Sequence, residues 1–166
     1  MKANNISHLT QAAMIAALYV ILTFLANALG LANGAIQIRF SEALTILPYF
    51  TPAAIPGLFV GCILSNLLTG CMPLDIILGS LATLIGAILT HLIAQKQSAP
   101  IGKWLAPIPP VISNTLIIPF VLAYVYQFKG SLIYFFFTVF IGEVISCYLL
   151  GSIVLNALYK YRKILF

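Results

Sequence analysis

Charge is what this sequence has least of. Only 7% of its 166 residues are Asp, Glu, Lys or Arg, against about 25% in an ordinary globular domain, which excludes a typical soluble fold. Acids are scarcest, at three, and tryptophan occurs once. A spanning helix takes about 20 apolar residues, so six spans use roughly 120 positions and leave only short connections. There is no room for a separate soluble catalytic domain, a nucleotide-binding domain or a long disordered tail. The three cysteines, Cys62, Cys71 and Cys147, are odd in number and lack CxxC spacing; they point neither to disulfides nor to a metal. His8 and His91 have no Cys, Asp or Glu at metal-ligand spacing, so no metal site is expected. No GxxxxGK[ST], GxSxG or HExxH pattern occurs. The chain therefore binds no ATP through a P-loop, shows no hydrolase or zinc-protease motif and reads as no enzyme.

What is present is apolar surface, in runs. Hydrophobic residues make up 62% of the chain, and they predict an all-α integral membrane protein, one transmembrane domain over 1–166. The first span runs over about 9–29. Its Ala12–Leu25 core followed by Ala26-Asn27-Ala28 also fits a secretory h-region with an A-x-A site, but the weakly basic approach and the alanines favour a retained helix. Three prolines at four-residue spacing, Pro48, Pro52 and Pro56, would break a continuous helix. They predict a short helix over 41–50, with Ser41 placed to cap it, and a new one over 53–69 that ends at Gly70-Cys71-Met72-Pro73. Further spans follow over 74–94, 105–126 and 132–158. Pro107, Pro109, Pro110 and Pro119 predict an irregular entry and a kink in the fifth.

The net charge of +5 reports cytoplasmic loops on such a chain, and no nucleic-acid partner. Six spans with both termini inside put Lys2, Lys96, Lys103, Lys160, Arg162 and Lys163 in the cytoplasm and Arg39 and Lys129 outside. A five-span layout, with 36–50 re-entrant, satisfies the positive-inside rule equally well.

The polar residues carry the functional signal. An ionisable group at a helix centre costs about 2.5 to 3.5 kcal/mol on insertion scales and faces a partner or a cavity. Glu143 lies roughly 18 Å into its span at 1.5 Å per residue, near mid-membrane, with Asn114 at similar depth as a partner for it or for a ligand. Glu42 and Asp75 each fall in a first helical turn, where an acid also stabilises the helix dipole, and Arg39 stands three residues before Glu42. Arg39, Glu42, Asn66, Asp75, Asn114 and Glu143 can converge on one outward cavity for a polar small molecule, since scattered unpaired groups would each cost free energy. Tyr124, Tyr126 and Phe128 are available to stack on a flat ring. Small residues recur at four, as Ala12/Ala16 with Ala13/Ala17 and as Gly57, Gly61 and Ser65. That spacing brings helices close, within the chain or between subunits.

Several stretches together resemble the QueT-type queuosine-precursor transporters: Ile36 to Leu44 with Leu47-Pro48, Ala53 to Asn66 with Pro56-Gly57-Leu58-Phe59-Val60-Gly61, Asp75 with Gly79-Ser80-Leu81-Ala82-Thr83, and Lys103 to Pro107 with Pro109-Pro110-Val111. The resemblance implies a substrate-binding S component of an energy-coupling factor (ECF) transporter: a six-helix bundle in a bacterial cell membrane, both termini cytoplasmic. It also implies a transmembrane coupling subunit and two ATPase subunits that hydrolyse the ATP, with no cofactor in this chain. The implied substrate is a 7-deazaguanine such as preQ1, preQ0 or queuine, and the implied coupling-subunit contact is Ala12, Ala13, Ala16 and Ala17. The alternatives are an S component for another flat heterocycle or vitamin, or an ion-coupled small-solute transporter.

Overall fold

The computed structural model describes residues 2–32, 36–97 and 100–162; Lys163 of the charge count lies outside them. Lys2–Ala28 contains neither glycine nor proline and forms one helix, α1. It ends where Gly30 turns to φ +71° and the Leu31 amide reaches back to the Ala26 carbonyl at 3.0 Å, a glycine-dependent helix stop. The run with the A-x-A pattern is part of the bundle, since Ile15, Tyr19 and Ala26 are buried core residues.

A ten-residue 3-10 helix, Phe40–Tyr49, follows with Pro48 inside it. Ser41 does not cap it. Arg39 occupies the cap position without a side-chain bond, and the buried Ser41 hydroxyl accepts instead from Thr23 Oγ1 at 2.9 Å. Eight consecutive residues of this helix, Ser41 to Pro48, are buried. A 3-10 helix suits that setting: its i→i+3 bonds satisfy backbone groups in a short piece, and the Pro48 carbonyl is met by the His91 ring at 2.9 Å.

The remaining elements are α2 (Ala54–Leu68), α3 (Pro73–Lys96), α4 (Ile101–Leu105), α5 (Ile108–Phe120), α6 (Leu132–Glu143) and α7 (Gly151–Tyr159). α2 stops at Gly70, φ +76°, with the Cys71 amide on the Asn66 carbonyl at 2.9 Å, as the glycine turn in the sequence predicts. The kink expected at Pro119 is a change of helix type: α5 widens into a π-helical turn, Val121–Val125. A second one, Val144–Leu150, joins α6 to α7 and begins beside Glu143. Widened turns of this kind occur mostly as short bulges inside α-helices, frequently at functional sites.

All described elements are helical, as expected of an all-α membrane protein, and they differ in length. Four stretches are long and apolar enough to cross a bilayer: Ile6–Ala28, Pro73–Lys96, Ile101–Val125 and Leu132–Tyr159. α2 has 15 residues, roughly 22 Å at 1.5 Å per residue, and the 3-10 helix is about 20 Å long at 2.0 Å per residue. Both fall short of the roughly 30 Å hydrocarbon core. Prolines close to their ends shorten them.

Glycine sets the closest approaches. A Cβ on Gly57 would lie 2.7 Å from the Ala12 carbonyl oxygen, and one on Gly61 2.8 Å from Tyr19 Cβ and 3.0 Å from Ala16 Cα. The small residues of α1 and α2 therefore pack on each other. Gly86 does the same for α3 and α5, where a Cβ would come within 2.8 Å of Pro110 Cα. At one end of the bundle Thr51 bonds Gln11 at 3.1 Å, and the Lys103 ammonium sits 3.2 Å from the centre of the Tyr159 ring. The opposite end is hollow.

Candidate functional site

The C-terminal ends of α1 and α2, the start of α3 and the π turn after α5 surround a cavity of about 580 Å³. That lies within the usual range of small-molecule sites, about 300 to 1,000 Å³. Its polar lining includes Arg39, Gln37, Asn66, Asp75 and Tyr126. An inner cavity of about 20 Å³ adjoins it and is lined by Glu42, Asn114, Glu143, Thr83 and Gly79, with Gln37, Arg39 and Ile118 common to both. Each of the six sequence-predicted polar residues lines one or both of these two cavities.

The inner group is built around Asn114, which α5 carries into the bundle. Its Nδ2 donates to Glu143 Oε2 at 3.1 Å and to Glu42 Oε2 at 3.4 Å. The Tyr19 hydroxyl donates to Glu42 Oε1, and the Cys147 thiol to Glu143 Oε2 at 3.1 Å. Glu42, Glu143 and Cys147 each bring a ligand-type atom within 4.8 Å of the others. They are spaced closely enough to hold a metal ion, yet each already has a hydrogen-bond partner in the chain. Two carboxylates this close repel by about 3 to 4 kcal/mol if both are charged, at an effective dielectric of about 20. Additional N–H donors would relieve that repulsion.

At the mouth, Asp75 Oδ2 accepts from the Tyr126 hydroxyl at 2.8 Å, and Tyr126 accepts from the Met72 amide at 3.2 Å. Tyr126 stacks on Phe128 with ring centroids 5.5 Å apart and 24° between planes, and both rings line the main cavity. Tyr124 does not join them. It is 70% exposed and stacks on Phe120 away from the cavity. Arg39 does not form the ion pair with Glu42 that the spacing suggests; its guanidinium bonds Gln37 Oε1 at 3.4 Å, and its backbone amide donates to Ser146 Oγ at 3.1 Å. Across the two cavities one guanidinium faces three carboxyl groups. The three cysteines are free.

The alanines of α1 divide. Ala16 is buried and Ala12 half-buried against α2, while Ala13 and Ala17 are exposed. The first pair is used up inside the chain.

Sequence reasoning missed Tyr19, Thr23, Ser146 and Cys147 as partners of this group. Tyr19 was findable, since a phenol in mid-span needs a partner for its hydroxyl. The others are small polar residues whose register depends on how the helices cross.

The profile of the QueT transporters matches residues 9–160. The chain belongs to the QueT transporter family. A curated member from Lactococcus lactis subsp. cremoris (strain MG1363), named queuosine precursor transporter QueT, is 36% identical over 85 residues, 51% of this chain and 50% of that protein. The matched stretch spans about half the length of that relative. Family and relative are named as transporters and not as enzymes. No solved structure matches the chain. The QueT match takes in every residue of the two cavities singled out above.

Proposed function

We propose that this QueT-family chain is the substrate-binding membrane subunit of an ATP-driven ECF uptake system for a queuosine precursor, a 7-deazaguanine such as preQ1, preQ0 or queuine. The observation that carries the reading is the concentration of Glu42, Glu143, Asn114, Asn66, Asp75 and Arg39 on two adjoining cavities in a chain with only three acids. A guanine-like edge offers two N–H donors that a carboxylate accepts together and a carbonyl oxygen that an Asn amide satisfies. Glu143 and Asn114 form that pair, the ligand carbonyl taking the Asn114 N–H that otherwise reaches Glu42 at 3.4 Å, and a second acid, Glu42 or Asp75, holds an aminomethyl cation. Tyr126 and Phe128 supply ring faces at the mouth.

On this reading the cavity opens outward, both termini are cytoplasmic, and the host is a bacterial cell membrane. The chain does no covalent chemistry and carries no P-loop, so ATP hydrolysis belongs to two partner ATPases working through a transmembrane coupling subunit. Contact with that subunit falls to the exposed Ala13 and Ala17 face of α1, because Ala16 is packed on α2. Calorimetric titration of the purified chain with preQ1, against guanine and riboflavin, tests the reading. Saturable binding of preQ1 alone is the expected result, and a folded chain that binds none of the three overturns it.

A further inference from the structure

Gly79 lies on α3 one turn beyond Asp75. A methyl built on it would sit 3.4 Å from Asn66 Nδ2, 3.5 Å from Asp75 Oδ1 and 3.9 Å from Ile118 Cδ1. Gly79 lines the inner cavity, Asn66 and Asp75 line the main one, and Ile118 lines both. The glycine therefore marks the neck between them. A donor from α2 and an acceptor from α3 flank one unfilled notch.

Neither conformation nor packing calls for glycine here. Its backbone is helical, and positive φ is confined to Gly30, Gly70 and Gln127 among the described residues. The neighbours of an added methyl are at ordinary van der Waals distance, unlike those at Gly57, Gly61 and Gly86, which would lie at 2.7 to 2.8 Å. A glycine inside a helix is unfavourable relative to alanine, so what the position gains is the empty space itself. The two polar atoms are also available. Asn66 Nδ2 carries two N–H groups and makes one long contact, to Cys62 Sγ at 3.5 Å. Tyr126 takes Asp75 Oδ2 at 2.8 Å, which leaves Oδ1 toward the notch.

We infer that Gly79 is a specificity-determining residue: it keeps open a notch where Asn66 Nδ2 and Asp75 Oδ1 read a heterocycle edge bearing a ring-nitrogen acceptor beside an N–H donor. This deepens the proposed function and rests on it. In a 7-deazaguanine whose amide edge meets Glu143 and Asn114, the edge left for the notch carries the pyrimidine ring nitrogen and the pyrrole N–H. Asn66 donates to the former and Asp75 accepts from the latter. Glu42 then holds the aminomethyl cation. A substituent on the pyrrole nitrogen removes the donor and fills the notch, so the site takes the free base and rejects its nucleoside.

Titration calorimetry with preQ1 and its pyrrole-N-methyl derivative, on the full wild-type chain and on Gly79→Ala, decides it. The methylated base should bind wild type at least tenfold more weakly than preQ1. Gly79→Ala should melt at the same temperature or higher and bind preQ1 at least tenfold more weakly. Near-equal binding of the two bases by wild type, or unchanged affinity in a folded Gly79→Ala, overturns the inference and leaves the proposed function standing. If the variant does not fold, the two-base comparison on wild type still decides. Wild type that binds neither base overturns the proposed function and this inference together.

Discussion

Asn114 is the residue on which the inner group turns, because one amide nitrogen serves carboxylates from two distant parts of the chain, Glu42 and Glu143. Replacing it with Leu leaves both acids short of a donor, and an unsatisfied buried group costs about 1 to 3 kcal/mol. Asn114→Leu should lower the melting temperature in detergent and abolish ligand binding. Glu143→Gln separates the two effects: the amide keeps the shape and accepts through only one oxygen. We expect preQ1 affinity to fall by about 10- to 100-fold, the loss of a charge-assisted bond worth about 1.5 to 3 kcal/mol, with little change in melting. Equal affinity would show that Glu143 serves only the fold. Tyr19→Phe should do the reverse, destabilising the chain by about 1 to 3 kcal/mol through Glu42 while moving affinity less. Thermal unfolding and titration on the same samples distinguish the three.

At the scale of elements, the contact between α1 and α2 is a backbone-to-backbone approach. A Cβ on Gly61 would meet Tyr19 Cβ at 2.8 Å and Ala16 Cα at 3.0 Å, neither of which is a flexible side-chain end. Gly61→Val should force the helices apart at a cost of about 1 to 3 kcal/mol, as overpacking does, and displace Tyr19 from Glu42. A lower melting temperature checks it. The exposed pair on the same helix answers differently. Under the proposed function, Ala13→Trp and Ala17→Trp should leave preQ1 binding intact and block uptake in cells, because they crowd the face proposed to meet a coupling subunit. Loss of binding in the purified variants would place that face in the fold instead. Sequence spacing identified both alanine pairs, but it could not divide them. Helical periodicity names positions that share a face, and only the crossing of α1 on α2 decides which face is covered.

For the whole molecule, the testable feature is a cavity at one end of the bundle, while at the other end Thr51 bonds Gln11 and Lys103 lies over Tyr159. Cys71 lines the main cavity, whereas Cys62 and Cys147 are each 1% exposed. A membrane-impermeant maleimide added outside intact cells should therefore label Cys71, and saturating preQ1 should slow that labelling several-fold. Cys71→Ser should remove it. Labelling only after the membrane is opened would invert the proposed orientation.

Composition and apolar runs by themselves determined that this is a helical membrane chain, where its helices lie, and where glycine and proline stop them. Those features follow from local chemistry: bilayer insertion needs long apolar stretches, positive φ favours glycine, and proline lacks an N–H. The scarcity of acids also singled out Glu42, Asp75 and Glu143, since each charge in so apolar a chain needs a reason to be there. Tertiary structure decided the rest. The segment Phe40–Tyr49 became a buried 3-10 helix, because its neighbours cover it on every side, which no local pattern records. The Arg39 guanidinium bonded Gln37, and Glu42 found Tyr19 and Asn114, partners 23 and 72 positions away in sequence. Such pairs are set by how helices cross, and crossing depends on close approach at a few glycines and alanines summed over the whole bundle.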